Sequence, residues 1–203
     1  MFDHLLRALK DRLLAPIARL LGASVSANML SVLAFAFGIG AAAAAFRGQD
    51  AVAVVLWLVN RIIDGLDGTH ARVHGQQSDF GGYLDIVLDF IVYAAIPSML
   101  VLSSPGFQLA PAGTFLLAAF FVNAASLMYL AAILERRQIG AAARGELTTV
   151  TMPPGIVAGA ETVVFYALFL GFAEWRAALF WIMGALVLVN VLQRLLWAWR
   201  TIR

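Results

Sequence analysis

Residues 64–89 read DGLDGTHARVHGQQSDFGGYLDIVLD, and a long apolar stretch lies on either side of them. Among the acids of this segment, Asp64, Asp67, Asp85 and Asp89 fall at helical spacing. An aspartate at the centre of a lipid bilayer costs roughly 2.5–3.5 kcal/mol on an insertion scale, so such residues need partners and a reason. The question is therefore whether these four acids lie within a membrane, and what they do there.

The composition of the chain indicates an integral membrane protein. Of its 203 residues, 62% are hydrophobic and 13% are charged, which is more apolar than an ordinary soluble domain. The chain has no cysteine, which excludes disulfides and cysteine-ligated metals. Its net charge is +2 with basic residues bunched near predicted helix ends, a pattern of membrane topology and not of nucleic-acid binding.

The apolar segments predict an all-α polytopic membrane protein with six transmembrane helices. Each segment is near or above the roughly 20 residues that a spanning helix needs. The joints between most of them are short and rich in helix breakers, so neighbouring helices should run antiparallel. The predicted spans are 27–46, 51–72, 80–103, 110–134, 155–173 and 175–200.

Residues 1–23 predict a juxtamembrane amphipathic helix that precedes a six-helix membrane domain over 24–203. Its apolar residues recur at helical spacing opposite charged ones, which suits a helix lying in the membrane interface. An ordinary amphipathic surface helix is the alternative. Asp3, Lys10 and Asp11 interrupt any hydrophobic core, so the segment does not read as a signal peptide. Pro16 should kink or split the helix.

Basic residues predict the orientation, because cytoplasmic loops are enriched in lysine and arginine. With the N-terminus in the cytoplasm, both termini are cytoplasmic and only Arg47 and Arg176 lie on outer loops. The basic residues then placed inside are Arg7, Lys10, Arg12, Arg19, Arg72, Arg136, Arg137, Arg144, Arg194, Arg200 and Arg203.

Two predicted helices present polar stripes to one another. On the second span the members follow the spacing i, i+3, i+4, i+7 and i+8 of one helical face; they are Asp64, Asp67, Gly68, Ala71 and Arg72. On the third span the members are four residues apart; they are Gly81, Asp85 and Asp89. The small residues clear room beside four carboxylates, which indicates a ligand.

That ligand is predicted to be a hard divalent cation. Four nearby carboxylates cannot all stay ionised unless they share protons or bind cations. Oxygen ligands without cysteine favour magnesium, manganese or calcium. Two ions would balance four negative charges, and two-metal sites recur in displacements at phosphorus. His4, His70 and His74 match no metal spacing, and we expect them at the surface or in loops.

The complete pattern carries a resemblance. The spacing D-x2-D-G-x2-A-R-x8-G-x3-D-x3-D runs without departure from Asp64 to Asp89 and resembles the signature of the CDP-alcohol phosphotransferase (phosphatidyltransferase) family. The wider chain is similar as well, with a juxtamembrane helix, six spans and VSANMLS at 25–31 where members of the family enter their first span.

This resemblance implies an enzyme that transfers a phosphatidyl group from a CDP-linked donor, CDP-diacylglycerol, to a small alcohol and releases CMP. It implies that Asp64, Asp67, Asp85 and Asp89 hold two divalent ions, Mg²⁺ or Mn²⁺, and that Asp89 is also the general base. It implies a CDP pocket and a homodimer in the lipid membrane. The implied CDP-binding residues are Gly68, Ala71, Arg72 and Gly81.

Arg72 precedes a loop that is predicted to be cytoplasmic, so the site would open to the inner leaflet and the cytosol. A CDP-linked lipid would enter sideways between helices, and a water-soluble alcohol would come from the cytosol. The site is therefore expected on the cytoplasmic side of the inner membrane.

Two further residues near or within spans have competing interpretations. Glu161 either faces the same cavity as an acceptor contact or pairs with an arginine between helices. Asn28 either contacts the nucleotide or caps the first span.

The remaining candidates are basic or weakly polar. Arg136, Arg137 and Arg144 either bind an acceptor phosphate or serve only the topology. Arg61 either offsets the acidic stripe or touches a phosphate, and Asn123 is more easily explained as structural.

A transporter of divalent cations or protons is the alternative function, since acids inside a membrane also mark ion pathways. It predicts broken helices and repeated halves, and the sequence has neither. A catalytically silent scaffold is disfavoured by the intact motif.

Overall fold

The structure, a computed structural model, describes residues 2–140 and 155–202, and within these ranges the chain forms helices and no strands. Two short 3₁₀ turns, Pro105–Phe107 and Ala173–Trp175, lead into α5 and α7. The α-helices of the described ranges are α1 (Phe2–Leu21), α2 (Ala27–Phe46), α3 (Asp50–His74), α4 (Asp79–Ser103), α5 (Ala110–Arg136), α6 (Gly159–Gly171) and α7 (Arg176–Thr201).

The turn between α3 and α4 places the two polar stripes side by side. Gly75 ends α3 in the left-handed conformation, with φ at 64°, which glycine adopts without steric penalty. Ser78 begins α4, and its Oγ accepts a hydrogen bond of 3.0 Å from the Gly81 N–H. The two helices therefore run antiparallel from a short connection, as the sequence predicts.

Four helical segments of the described chain are long and apolar enough to cross a membrane: α2, α4, α5 and Ala173–Thr201. α3 has 25 residues, but it carries several charged side chains and is not in this set. The observed bounds of α2 to α5 agree closely with the predicted spans. The chain is an integral membrane protein; the count of six spans stays a prediction.

α6 is shorter than the span predicted over 155–173. It has 13 residues, which rise only about 20 Å. The preceding backbone is bound by a side chain of α7 instead of continuing the helix: Asn190 Oδ1 accepts from the N–H groups of Ile156 at 2.6 Å and Val157 at 3.2 Å. The Asn190 amide in turn donates to the Val157 carbonyl at 2.6 Å.

α1 is one uninterrupted helix with Pro16 inside it, so Pro16 does not split the helix, and a kink at this residue stays a prediction. It packs on α2 and α3 through a small apolar cluster of Ala18, Leu30 and Leu66. This contact holds α1 beside the polar stripe of α3.

The main core joins α2 to α7 and depends on small residues where helices approach closely. A Cβ at Gly38 of α2 would lie 2.6 Å from Val92 of α4, so a larger residue does not fit there without movement. Much of α2 facing this core is alanine. The largest fully buried side chains of the core are Trp57, Tyr166, Phe169, Phe180 and Ile96.

An ion pair fixes the end of α3 that lies away from the motif. Arg176 Nη2 lies 2.6 Å from Asp50 Oδ1. Arg176 also donates to the carbonyls of Phe169 at 2.8 Å and Leu170 at 3.2 Å in the last turn of α6. This single side chain therefore ties together α3, α6 and α7.

Candidate metal centre and active site

Three of the four predicted metal ligands converge between α3 and α4. One carboxylate oxygen each from Asp64, Asp67 and Asp85 lie within 4.8 Å of one another. The donors are all oxygens and the chain has no cysteine, which fits a hard divalent ion and not zinc or copper. The residues therefore fit the metal that the sequence predicts.

Asp67 is held in place from α2. It is buried, and the Ser31 hydroxyl donates a hydrogen bond of 2.6 Å to its Oδ2. Ser31 was missed in the sequence reasoning, although it lies in the segment VSANMLS that enters the first span. Its hydrogen bond fixes the orientation of one proposed ligand oxygen.

Asp89, the fourth member, lies on α4 and is paired with Arg61 of α3. Arg61 Nη2 donates to Asp89 Oδ1 at 2.7 Å, and Nη1 lies 3.4 Å from Oδ2. The same Nη1 lies 3.5 Å from Asp64 Oδ2. Of the two interpretations of Arg61, the offset of the acidic stripe is therefore the one observed.

A second layer of side chains surrounds Arg61. Its Nε donates to Asn60 Oδ1 at 2.6 Å, and its Nη1 donates to the Tyr93 hydroxyl at 2.9 Å. Its guanidinium carbon lies 4.7 Å from the ring centroid of Trp57 and 5.3 Å from that of Tyr93, within the range of cation–π attraction. Neither Asn60 nor Tyr93 was predicted, although Tyr93 follows Asp89 by one helical turn.

The charges of this centre do not balance within the protein. Four carboxylates lie near one paired guanidinium, so the remaining negative charge must be offset by shared protons or by bound cations. Lys10 of α1 reaches the neighbourhood, since its Nζ would lie 3.5 Å from a Cβ built on Gly65. Its side chain is exposed, so water screens its charge.

The predicted CDP residues of α3 lie at the edge of this centre beside α1. Arg72 Nη2 lies 2.5 Å from Asp11 Oδ1, and the Thr69 hydroxyl donates to the same oxygen at 2.8 Å. Gly68 leaves space for Arg72, because a Cβ there would lie 3.3 Å from Arg72 Nη1. Ala71 is half-buried on the same helix. Asp11 was missed because it precedes Arg72 by 61 residues.

Gly81 and Asn28 face each other between α4 and α2. A Cβ on Gly81 would lie 3.1 Å from Asn28 Oδ1 and equally close to Ser78 Oγ. Asn28 is not the helix cap, because Ser26 occupies that position and Gln76 Oε1 accepts from the Ala27 N–H at 2.8 Å. The capping interpretation of Asn28 is therefore wrong, and its amide is placed beside a predicted CDP residue.

Glu161 lies in the first turn of α6 and is exposed. Its Oε2 accepts a hydrogen bond of 3.0 Å from the Ala158 N–H, which satisfies a free donor of the helix terminus. Its described contact is this backbone bond, and no ion pair with an arginine is observed in the described ranges. With Ala160, Val164 and Phe165 it lines a groove of about 240 Å³.

The structure describes two of the three arginines that were predicted to bind a phosphate of the acceptor alcohol. Arg136 is the last residue of α5 and Arg137 follows it, and both are exposed. Arg144 lies outside the described residues. Arg194, counted with the topological arginines, is buried between α5 and α7, and its Nη1 donates to the backbone and side-chain oxygens of Asn123 at 3.1 Å each. This bond supports the structural interpretation of Asn123.

The prediction that the motif histidines lie at the surface or in loops is wrong for His70. Its side chain is fully buried in α3, and its Nε2 lies 2.9 Å from the Val25 carbonyl. His74, the last residue of α3, places Nε2 3.0 Å from the Ala18 carbonyl. Both histidines bind backbone carbonyls at the α1–α2 end of the site and are structural. The side chain of His4 lies outside the described residues.

Comparisons with known proteins show the family of the chain. A family model described as CDP-alcohol phosphatidyltransferase matches residues 24–192. The inner membrane protein YnjF of Escherichia coli is 34% identical over 170 residues, which cover 84% of this chain and 81% of YnjF. The bifunctional IPC transferase and DIPP synthase of Aquifex aeolicus is 33% identical over 85 residues, 41% of this chain and 20% of that protein.

Solved structures share the fold. The Mycobacterium tuberculosis phosphatidylinositol phosphate synthase PgsA1 with CDP-DAG bound superimposes with a TM-score of 0.72 at 20% identity, over 93% of this chain and 94% of that one. The same protein in complex with manganese and citrate gives a TM-score of 0.71 at 20% identity, over 92% and 88% of the two chains.

Proposed function

The chain belongs to the CDP-alcohol phosphatidyltransferase family, and from this premise we propose that it transfers a phosphatidyl group from CDP-diacylglycerol to the hydroxyl of a small alcohol. The observation that carries the proposal is the convergence of Asp64, Asp67 and Asp85 within 4.8 Å, beside the paired Asp89. PgsA1, which shares the fold, has been solved with CDP-DAG and with manganese, which supports both the donor and the metal.

Two divalent ions, Mg²⁺ or Mn²⁺, are proposed at the four aspartates. Asp64, Asp67, Asp85 and Asp89 would hold them through carboxylate oxygens. When bound, such ions neutralise the pyrophosphate of the donor and the charge that develops on the leaving group. The hydrogen bond from Ser31 to Asp67 keeps one ligand oriented.

Asp89 is proposed as the general base. Its carboxylate takes the proton from the acceptor hydroxyl while the acceptor oxygen forms a bond to the phosphorus that carries diacylglycerol. The bond from that phosphorus to the bridging oxygen of the pyrophosphate breaks, and CMP leaves with the electron pair. The products are a phosphodiester lipid and CMP.

The nucleotide is proposed to lie between α2, α3 and α4. Gly68, Ala71 and Gly81 leave the helix surfaces low enough for its approach, and Asn28 offers an amide beside Gly81. Arg72 would then exchange its contact with Asp11 for a phosphate oxygen, since guanidinium groups bind phosphate well.

A phosphorylated acceptor is proposed from the basic residues after α5. Arg136, Arg137 and Arg144 would bind its phosphate, and Glu161 would contact a hydroxyl. The exposure of Arg136, Arg137 and Glu161 is compatible with a soluble ligand.

The proposed topology has six spans over residues 24–203. Four of them are the apolar helical segments named above, and α3 and α6 are the other two. Residues 1–23 lie in the membrane interface, and both termini and the site are on the cytoplasmic side of the inner membrane. We propose a homodimer as the assembly.

The test is CMP release by detergent-purified protein supplied with CDP-diacylglycerol, Mg²⁺ or Mn²⁺ and one candidate alcohol at a time. We expect CMP to appear only with the correct acceptor and to fall by about 10²–10⁴-fold in Asp89→Asn, the range for loss of a general base. No CMP with any acceptor from folded protein would overturn the reaction, and ion flux across sealed vesicles would then test the transporter alternative.

A further inference from the structure

We propose that Arg61 is a positioning residue that fixes one oxygen of Asp89 and leaves the other free for the reaction. This inference rests on the proposed function and deepens it, because it assigns a role to a residue outside the motif. Arg61 precedes Asp64 by three residues on α3, and its guanidinium lies between the carboxylates of Asp64 and Asp89.

The two oxygens of Asp89 are held unequally. Oδ1 accepts from Arg61 Nη2 at 2.7 Å, which is the length of a strong charge-assisted hydrogen bond. Oδ2 lies 3.4 Å from Nη1, a distance at which a hydrogen bond contributes little. Oδ2 is therefore the oxygen left available to a metal ion or to the proton of the acceptor.

Arg61 itself has little freedom to move. Asn60 accepts from its Nε at 2.6 Å, and the Asn60 amide donates to the Ala34 carbonyl of α2 at 2.7 Å. The Tyr93 hydroxyl accepts from Nη1, and the Trp57 ring packs against the guanidinium. The Arg61 side chain is only 8% exposed.

The position of Arg61 reduces the electrostatic repulsion between two carboxylates of the site. Asp64 and Asp89 approach the same region from different helices, and like charges at short range repel one another. The guanidinium lies within 3.5 Å of an oxygen of each, so its positive charge stabilises both carboxylates in these positions. A planar fork with fixed donors does this better than a lysine ammonium, which is a point charge on a flexible stem.

The experiment compares three variants of the full-length protein in detergent: Arg61→Met, Arg61→Lys and Tyr93→Phe. The matched control is Arg176→Met, which removes the partly buried arginine of α7 that pairs with Asp50 at the start of α3. The readouts are kcat and the KM for CDP-diacylglycerol from CMP release, and binding of Mn²⁺ alone followed by electron paramagnetic resonance.

We expect Arg61→Met to lower kcat by about 10–100-fold, the usual effect of losing a residue that orients a metal ligand or a base. The donor KM should stay within about threefold, because Arg61 is buried behind the carboxylates. Mn²⁺ affinity should be kept or increased, since a positive charge beside two carboxylates is removed. Arg61→Lys should recover part of kcat, Tyr93→Phe should lose only a few-fold, and Arg176→Met should keep wild-type kcat.

The Mn²⁺ measurement separates positioning from a structural role. Loss of Mn²⁺ binding together with kcat in Arg61→Met and Arg61→Lys would overturn the proposal, because the residue would then only maintain the fold of the centre. Wild-type kcat in both variants would overturn it as well. If Arg61→Met does not fold, Arg61→Lys and Tyr93→Phe decide the question in the same way. The proposed function fails separately, by absence of CMP from the wild-type protein.

Discussion

The two ends of α3 each bury charge, and they do so in opposite ways. At one end Asp50 meets Arg176, one acid against one base, and Arg176 completes its hydrogen bonds with carbonyls of α6. Toward the other end, from the middle of the helix onward, Arg61 contacts Asp64 and Asp89, and Asp67 and Asp85 lie beside them. The arginine side chains are similarly buried, 14% exposed for Arg176 and 8% for Arg61, so burial does not distinguish the two ends.

The difference lies in the ratio of charges. A balanced buried pair needs no further ligand and is explained by the packing of helices. An excess of carboxylates beside three converging ligand oxygens is not explained in this way, because uncompensated buried charge is costly. The comparison favours a structural role for the Asp50 end and supports the proposal of a ligand at the Asp64 end.

The largest effect on activity is expected when one of the proposed metal ligands near Asp64 is removed. Asp85→Asn should lower CMP release by more than about 100-fold, since even the residues behind a metal ligand are worth roughly 10–100-fold. It should also abolish the rise in melting temperature that saturating Mn²⁺ produces, a stabilisation of about 2.7 kcal/mol at a hundred times the Kd. The measurements are CMP release and thermal unfolding with and without Mn²⁺.

The matched control for Asp85→Asn is Asp50→Asn, which removes one carboxylate from the balanced end. It should keep both kcat and the shift in melting temperature with Mn²⁺. Equal effects of the two variants on the Mn²⁺ shift would mean that the two ends do not differ in function.

A smaller effect is expected when a side chain is enlarged in the proposed nucleotide pocket and no charge is changed. Gly81→Ala should raise the KM for CDP-diacylglycerol by about tenfold with little change in kcat, because a Cβ 3.1 Å from Asn28 Oδ1 crowds the proposed nucleotide pocket. Gly159→Ala is the control, since a Cβ on that residue meets no atom within 4 Å. A KM that is unchanged in Gly81→Ala would place the nucleotide elsewhere.

The smallest effect on activity is expected from removing the Asp50–Arg176 ion pair, because this pair should affect the free energy of unfolding and not the reaction. A double-mutant cycle with Asp50→Asn and Arg176→Met, measured by thermal unfolding, should give a coupling of about 1 kcal/mol, the upper value for exposed pairs, because this pair is partly buried. The kcat per folded molecule should stay at the wild-type value in all three variants. A fall in kcat without a fall in melting temperature would mean that the Asp50–Arg176 pair contributes to the reaction. The two ends of α3 would then not differ in function.

The sequence predicted the features that depend on local periodicity. The first span was predicted over 27–46, and α2 is Ala27–Phe46. The spacing of Asp64, Asp67 and Asp85 predicted two facing stripes, and their oxygens do converge. Apolar length and helical spacing are properties of neighbouring residues, so they can be read from the sequence without a fold.

The features that were missed depend on how helices are rotated against one another. Asp11 contacts Arg72 across 61 positions of the chain and Ser31 donates to Asp67 across 36, which no local period encodes. The length of α6 was overestimated because apolar residues continue ahead of it, whereas their N–H groups bind Asn190 of α7. The buried position of His70 likewise follows from the approach of the α1–α2 connection, which supplies the Val25 carbonyl.

Because α3 is one continuous helix, the direction in which Asp50 points around the helix axis determines the direction in which Asp64 and Asp67 point. The helix runs without interruption for 25 residues from Asp50 to His74, and each residue advances about 100° around its axis. One residue inserted or deleted between Asp50 and Asp64 would turn one end by that angle relative to the other, so that Arg176 and Asp85 could not both be reached. The ion pair at the far end therefore sets the angle at which the aspartates face α4, and length changes within this helix should be far less tolerated than substitutions on its lipid-facing side.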